Sequence, residues 1–395
     1  MKIAIVVHGR FHAFDLAREL LRLGHDVTLF TNYPRWAVER FDVPGKRVQS
    51  FWMHGVLSRA SAKLPDRTCF AGAREAFLHR LFGRWASIKL SREDSLDVVH
   101  VWSGVAEEAL CNPTTRGAST AMLLMRGSAH IRTQDRLLRE EAARTGTPQD
   151  RPSRWMIARE EREYARADAV VTLSTFAYNS FLAEGVPRER LCLLPLGARL
   201  STFRPSTAVV EERWRRIRSG APLRVLYIGA LSFQKGLWDL AAAVRALGTQ
   251  GYQFRLVGAH PRETAALVGQ LRRQACVMPS QPQATLPDVY AWADVFVYPT
   301  IHDGYAMVLA QAAAAAVPII TTSHCSGPDL VQPGETGWIV PIRSPEQLVE
   351  RLRWCSSHRE DLAAMSERLY TRFQPRDWAA VAADFERLSG QVVRK

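Results

Sequence analysis

The sequence predicts an α/β protein of two doubly wound, parallel-sheet domains. Three observations predict it. The chain has 395 residues, too many for one ordinary core and suited to two of about 200. Hydrophobic residues make up 47% of it, enough to bury both cores. Short apolar runs alternate with helical patterns from end to end, the order that lays helices on both faces of a parallel sheet.

The elements follow from apolar runs bounded by breakers. In the first half, strands are expected at 3–7, 26–30, 98–101, 121–125 and 169–173. Each precedes a polar turn and, in most cases, a helix. In the second half, strands are expected at 224–228, 254–257, 275–278, 295–298, 319–321 and 338–340. A helix rich in Glu and Arg is expected over 209–219, and a last helix over 377–388 with Trp378 as its apolar anchor. There is no internal repeat and no run of about 18 uncharged apolar residues that would span a membrane. Met1-Lys2 leads directly into the first strand without the basic-then-apolar pattern of a signal peptide, so a cytoplasmic location is expected. Six scattered cysteines without a Cys-x-x-Cys pair read as reduced packing residues.

Two segments hold the chemistry. Segment 297–321, VYPTIHDGYAMVLAQAAAAAVPIIT, reads as a buried strand, a tight polar turn, an alanine-rich helix and a second strand. A sheet of this kind exposes backbone N–H groups to a ligand at such a turn. Asp303 is expected to open the helix. Gln311 lies eight positions on, about two turns at 3.6 residues each, so both side chains fall near one face. Segment 224–237, RVLYIGALSFQKGL, repeats the logic with Gly229, a polar loop and Lys235-Gly236 starting a helix. A lysine at such a loop end suits a phosphate, and beside the positive end of a helix dipole it is unfavourable unless an anion is present. For Asp303 the alternative to a ligand contact is capping of the helix.

Together these segments resemble the C-terminal half of a retaining glycosyltransferase of the GT-B fold, family 4 type, whose signature sets two acids at the ends of an acidic-x7-acidic motif. The resemblance implies a sugar contact for Asp303 and a ribose contact for Gln311, where glutamine keeps hydrogen bonding but loses the acid's charge. Ala230 stands where the family commonly has arginine, which leaves Lys235 as the matching cation. Ala316 replaces a usual glycine, so the turn before Val317-Pro318 is made without the residue that best tolerates positive φ. Segment 169–205 resembles the family's interdomain segment, with Gly197, Phe203 and Pro205 in the pattern and Arg199 in place of an aspartate. Segment 1–32 is similar to the family's opening strand-loop-helix-strand, with Gly9 in its loop.

The resemblance implies two Rossmann-like domains facing each other across a cleft. Residues 1–203 would form the acceptor side, 204–376 the nucleotide-sugar donor side, and 377–395 a helix crossing back to the first. It also implies transfer of a sugar from a nucleotide-diphosphate donor to a saccharide or lipid-linked acceptor, in cell-surface polysaccharide or glycolipid synthesis. The catalytic candidates are Asp303, His130 and Lys235. The donor-binding candidates are Gly229, Lys235, Gly236, Asp303, Gly304, Tyr305 and Gln311. On the acceptor side stand Gly9, His12, Arg126 and Ser128. His130 lies in the loop where the family often presents a histidine to the sugar, where it can hydrogen-bond a hydroxyl or steady developing charge; the alternative is a loop histidine with no task. No Asp-x-Asp occurs in the chain, so neither a metal site nor a cofactor is expected, and retention through a front-face mechanism is implied.

The net charge is +13, and residues 35–92 hold twelve Lys or Arg against four Asp or Glu. Interleaved are Trp36, Phe41, Phe51, Trp52, Phe70, Phe77, Phe82 and Trp85. This surface suits anionic lipid or an acidic acceptor. The plainer reading makes the aromatics core and the arginines a solvated rim. Nucleic acid ranks last and is not expected as a partner, as no helix-turn-helix, zinc-finger or RNP signature is present. Three rivals remain open: a nucleotide-sugar epimerase, a non-catalytic nucleotide-sugar-binding protein, and an oxidoreductase, the last disfavoured because Gly-x-Gly-x-x-Gly is missing after the first strand.

Overall fold

The computed structural model describes residues 1–61, 71–115 and 120–393. Thirteen strands are seen among these residues, in two parallel sheets. The first holds β1 (Lys2–Val7), β2 (Asp26–Thr31), β3 (Val48–Ser50), β4 (Val98–Trp102), β5 (Ala121–Arg126), β6 (Ala169–Thr172) and β7 (Leu191–Leu193), ordered β3-β2-β1-β4-β5-β6-β7. The second holds β8 (Leu223–Ile228), β9 (Tyr252–Val257), β10 (Ala275–Met278), β11 (Val295–Tyr298), β12 (Ile319–Thr322) and β13 (Gly337–Val340), ordered β10-β9-β8-β11-β12-β13.

Each order reverses beside its first strand, between β1 and β4 and between β8 and β11. Ligands bind outside the carboxyl ends of the strands at such a switch point. The central strands are nearly continuous apolar runs because helices cover both faces: the last five residues of β1 and all of β4 and β11 are buried, His100 of β4 included. The first sheet has a core on each face, one around Phe14, Leu29 and Val171 and one around Phe30, Phe82 and Leu124.

All eleven expected strands form, within one or two residues. The two not foreseen, β3 and β7, are three-residue edge strands, too short to show a period of two. The helix expected at 209–219 spans Thr207–Arg218. The last helix, Trp378–Val393, packs against the helix Ala13–Arg22, and Trp378, Val381, Ala382 and Phe385 join the core of the first sheet. Gly197 lies where this return path passes: a Cβ there would stand 2.4 Å from the carbonyl of Asp377.

The aromatics of 35–92 divide between the two readings given for them. Phe82 is buried and Phe51 and Trp85 pack against the same core, whereas Trp36, Trp52 and Phe77 are exposed. Phe70 lies outside the described residues. The helix Trp52–Ser61 buries His54 and Gly55, and it exposes Trp52, Met53, Val56 and Leu57.

Candidate functional site

A cleft of ≈ 1310 Å³ opens between the carboxyl ends of the two sheets. One wall comes from the loop after β1, the β4 and β5 ends and the segment around Leu196–Leu200. The other comes from Asp303, Tyr305, Ala306, Met307 and Gln311, with Gln283 and Pro287 at the far side.

Asp303 is the most constrained side chain of this region. It follows β11, but the helix itself begins only at Met307, so Asp303 sits in the preceding loop rather than opening the helix. Its Oδ1 accepts from the backbone N–H groups of Tyr305 (3.3 Å) and Ala306 (3.1 Å), while Oδ2 accepts from Lys235 Nζ (2.7 Å) and the Tyr298 hydroxyl (2.8 Å). Burial alone would raise this carboxyl; the Lys235 ammonium, the Tyr298 hydroxyl and the Ala306 N–H more than offset that and hold it below the usual carboxylate range. Capping of the loop and pairing with a cation are therefore functions of one side chain.

Lys235 ends a 3-10 turn over Phe233–Lys235, and Gly236, at φ 79°, starts the helix Leu237–Leu247. The lysine stands behind Asp303, donating also to the His302 carbonyl at 3.3 Å, and is not part of the cleft wall. Three glycines of this region allow close backbone approach. A Cβ at Gly236 would lie 1.9 Å from the Pro299 carbonyl, and one at Gly304 would lie 2.0 Å from the Gly127 carbonyl, which belongs to the opposite sheet's loop. Gly229 adopts φ 153° and faces the Tyr298 ring.

Gln311 is buried in the cleft wall, its Oε1 accepting from the Tyr290 hydroxyl at 3.1 Å. That leaves the amide N–H donors for a ligand. Two alanines of this region take the left-handed conformation, Ala306 at φ 52° and Ala316, which stands for the usual glycine, at φ 57°. Only the second was anticipated. The Tyr305 hydroxyl reaches across the cleft base to the Leu196 carbonyl at 3.1 Å.

On the opposite wall, Arg126 and Ser128 both line the cleft. Arg126 ends β5, with Nε 3.1 Å from Glu160 and Nη2 donating to Gln134 at 2.6 Å. His12 also lines the cleft, between the rings of Trp102 and Trp378, and burial pushes it down to about 3, so its imidazole is neutral. Gly9 itself is not in the wall, although His8, Arg10 and Phe11 around it are.

His130 is a correction. Rather than facing the cleft it is buried at the N-cap of the helix Ile131–Thr145, where Nδ1 accepts the Arg132 N–H at 3.3 Å. Its ring packs on Tyr164 and Phe181, and burial lowers its pKa to about 4. The histidine between the two loops is His302, which sequence reasoning passed over although it directly precedes Asp303. Its Nε2 lies 2.9 Å from Ser128 Oγ and its Nδ1 3.3 Å from Gln234. Tyr298 and Glu160 were also missed, because a strand tyrosine and a helix glutamate have no distinguishing pattern in the sequence.

Two doubly wound parallel-sheet domains, meeting at the carboxyl ends of their strands with a last helix folded against the first, define the GT-B architecture. The description "Glycosyl transferases group 1" matches residues 222–358 and "Glycosyl transferase 4-like domain" matches residues 10–197, together most of the chain. The chain belongs to the group 1 glycosyltransferases of the GT-B fold. It is 27% identical over 202 residues to the protein named colanic acid biosynthesis glycosyltransferase WcaL of Escherichia coli strain K12, a match covering 48% of each chain. The chain thus spans about half the length of the curated relatives that it matches. Among solved structures, HepE of Anabaena in complex with UDP superposes with TM-score 0.69 at 13% identity, over 99% of this chain and 100% of that one. Sucrose-phosphate synthase of Thermosynechococcus elongatus superposes with TM-score 0.70 at 17% identity, over 100% and 99%. At these identities the two structures speak for the fold alone.

Proposed function

We propose that this protein is a retaining glycosyltransferase that moves a sugar from a nucleotide-diphosphate donor to an acceptor hydroxyl, in the assembly of a cell-surface polysaccharide or glycolipid. The observation that supports this most is the meeting of two loops from opposite sheets. The Asp303 loop lies against the Arg126–Ser128 loop through Ser128–His302 and the Gly304–Gly127 approach. A sugar bound at that seam touches groups from both domains. The relative WcaL is named for colanic acid biosynthesis, which supports the same class of product.

In this reading Asp303 accepts from sugar hydroxyls, and the diphosphate draws Lys235 toward itself from its present partner. Lys235 and the N–H groups of the loops would stabilise the charge that develops on the leaving nucleoside diphosphate. Gln311 donates to the ribose. A hydrolase-like retaining mechanism needs two carboxylates about 5 Å apart, and Asp303 is the one acid between β11 and the helix starting at Met307. A front-face transfer fits better, with the leaving phosphate taking the acceptor's proton. The exposed apolar face of Trp52–Ser61 and its basic surroundings suit a lipid-linked acceptor at the inner face of the cell membrane. No described helix is long and apolar enough to cross a membrane.

The test is a thermal-shift screen of nucleoside diphosphates followed by donor turnover with acceptor. A ligand that binds only the folded state raises the midpoint by mass action. Conversion of a donor into a different sugar nucleotide without acceptor would mean an epimerase, and binding without turnover a non-catalytic binder.

A further inference from the structure

Phe11 is the most exposed large apolar side chain among the described residues, at 64%, and it lies in the wall of the cleft rather than on the outer surface. Its backbone is left-handed, at φ 42°, a conformation that is an outlier for a bulky residue. It belongs to neither core of the first sheet, and its ring turns back over Gly9, where a Cβ would meet it at 3.2 Å. Exposure and strain are two separate costs, and packing within the folded chain offsets neither. Strain that persists at a cleft is of the kind maintained for a ligand.

The polar groups beside it are loosely held. Arg10 lies over the Phe41 ring at 4.0 Å and only 3.8 Å from Asp15, and Arg199 is 3.8 Å from Asp42. These separations exceed hydrogen-bond length, so Arg10, Arg199 and Asp42 keep donors and acceptors for a ligand, whereas Asp15 is held by Arg18 at 2.9 Å. All of these residues line the same cleft. An aromatic face beside unsaturated charged donors and acceptors fits a pyranose: its axial C–H groups rest on the negative face of the ring, and its hydroxyls bond to the rim.

We infer that Phe11, with Arg10, Asp42 and Arg199 around it, forms a saccharide-binding subsite, the platform on which a sugar ring of the acceptor stacks. The assignment to the acceptor rests on the proposed transferase reading, because Lys235, Asp303 and Gln311, the proposed donor contacts, all belong to the other sheet.

Saturation-transfer NMR tests it, with the methyl α- and β-glycosides of glucose, galactose and mannose as probes, and UDP, GDP and ADP run in parallel. The wild-type protein should saturate the ring C–H protons of at least one glycoside. Phe11→Ala should reduce that signal about fivefold, the factor expected for one aromatic contact, while Phe11→Tyr and Phe11→Trp keep it. Phe11→Gly should lose the signal and raise the thermal midpoint, since it releases the left-handed strain; a residue present only for structure would lower it. The subsite is overturned if no glycoside is saturated, if Phe11→Ala leaves the signal unchanged, or if the loss falls on the nucleotides, which would make Phe11 a base platform. Failure of the transferase reading shows separately, as absence of nucleoside diphosphate binding in the wild type and in every Phe11 variant.

Discussion

Lys235 Nζ stands 2.7 Å from Asp303 Oδ2, so the cation of the loop after β8 and the acid of the loop after β11 are partners before any ligand arrives. Both side chains are about four-fifths shielded from solvent, and each therefore influences what the other is available to do. Lys235→Ala should weaken nucleoside diphosphate binding by about 1.5 to 3 kcal/mol, the range for hydrogen bonds to charged groups. Asp303→Asn should lower turnover more than nucleotide affinity if the acid contacts the sugar. Calorimetry and steady-state kinetics on both variants, and on the double variant, measure this. A coupling energy near zero in the cycle would reject the pairing as functional.

Ala306 and Ala316 occupy left-handed backbone at the two ends of the Met307–Ala314 helix. An L-residue with a Cβ is disfavoured there by about 1 to 2 kcal/mol, part of which glycine returns through its greater freedom in the unfolded chain. Ala316→Gly should therefore stabilise the protein by up to about 1 kcal/mol, read as a higher urea midpoint at constant slope. Ala306→Gly should do the same, but it also loosens the loop that holds Asp303, so its stability gain should come with reduced turnover.

Acid should destabilise the fold through its histidines. Burial depresses His8, His12, His100 and His302 from 6.5 to about 3. The unfolded chain takes up protons first, so the stability these groups contribute is complete above pH 6.5 and is lost as pH falls toward 3. Each contributes a slope of up to about 1.4 kcal/mol per pH unit. His100 is the cleanest probe, since it is fully buried between Trp102 and Phe385 and both ring nitrogens are without a protein partner. His100→Leu should flatten the dependence of unfolding free energy on pH by close to one proton between about pH 4.5 and about pH 6. An unchanged slope would show that His100 titrates normally.

How far the sequence foretold this site depends on whether a feature is local. The strands β1, β4, β8 and β11 were legible because buried parallel strands are nearly continuous apolar runs, broken by His100 in β4 and Arg224 in β8, and the turns after β8 and β11 exposed Lys235 and Asp303 by position. That these two are partners was not legible, because it depends on β8 and β11 lying side by side although 66 residues, 229–294, separate the end of one from the start of the other. His130 misled for the opposite reason. The loop after β5 is short, and its last residue is drawn under the helix to cap it, so the cleft-facing positions are Arg126–Ser128. Phe11 gave no signal, since a phenylalanine in a loop reads as buried until its backbone angle and exposure are known.

Activity should survive excess chelator. The donor site proposed here stabilises the leaving group with Lys235 and backbone N–H groups, and the chain has no Asp-x-Asp. Full activity in EDTA is the expected result. Abolition by EDTA with recovery on adding magnesium or manganese would place a divalent ion at the diphosphate and remove that task from Lys235.

The helix Trp52–Ser61 leads to the last prediction. Trp52 and Val56 are four residues apart, as are Met53 and Leu57, so the four exposed side chains form one stripe on the outer face. Trp36 and Phe77 are exposed in the same segment, and residues 35–92 have an excess of basic over acidic residues. An apolar stripe with basic surroundings is the arrangement of a surface that rests in the headgroup layer. Each Lys or Arg near an anionic surface adds about 1 kcal/mol, and salt screens it. The protein should sediment reversibly with liposomes containing anionic lipid, stay in the supernatant with neutral ones, and be released at high ionic strength. Trp52→Ser with Leu57→Ser should weaken sedimentation without changing nucleoside diphosphate affinity, because neither residue lines the cleft. Equal recovery in the supernatant with both liposome types at low salt would reject the membrane reading and point to a soluble acceptor.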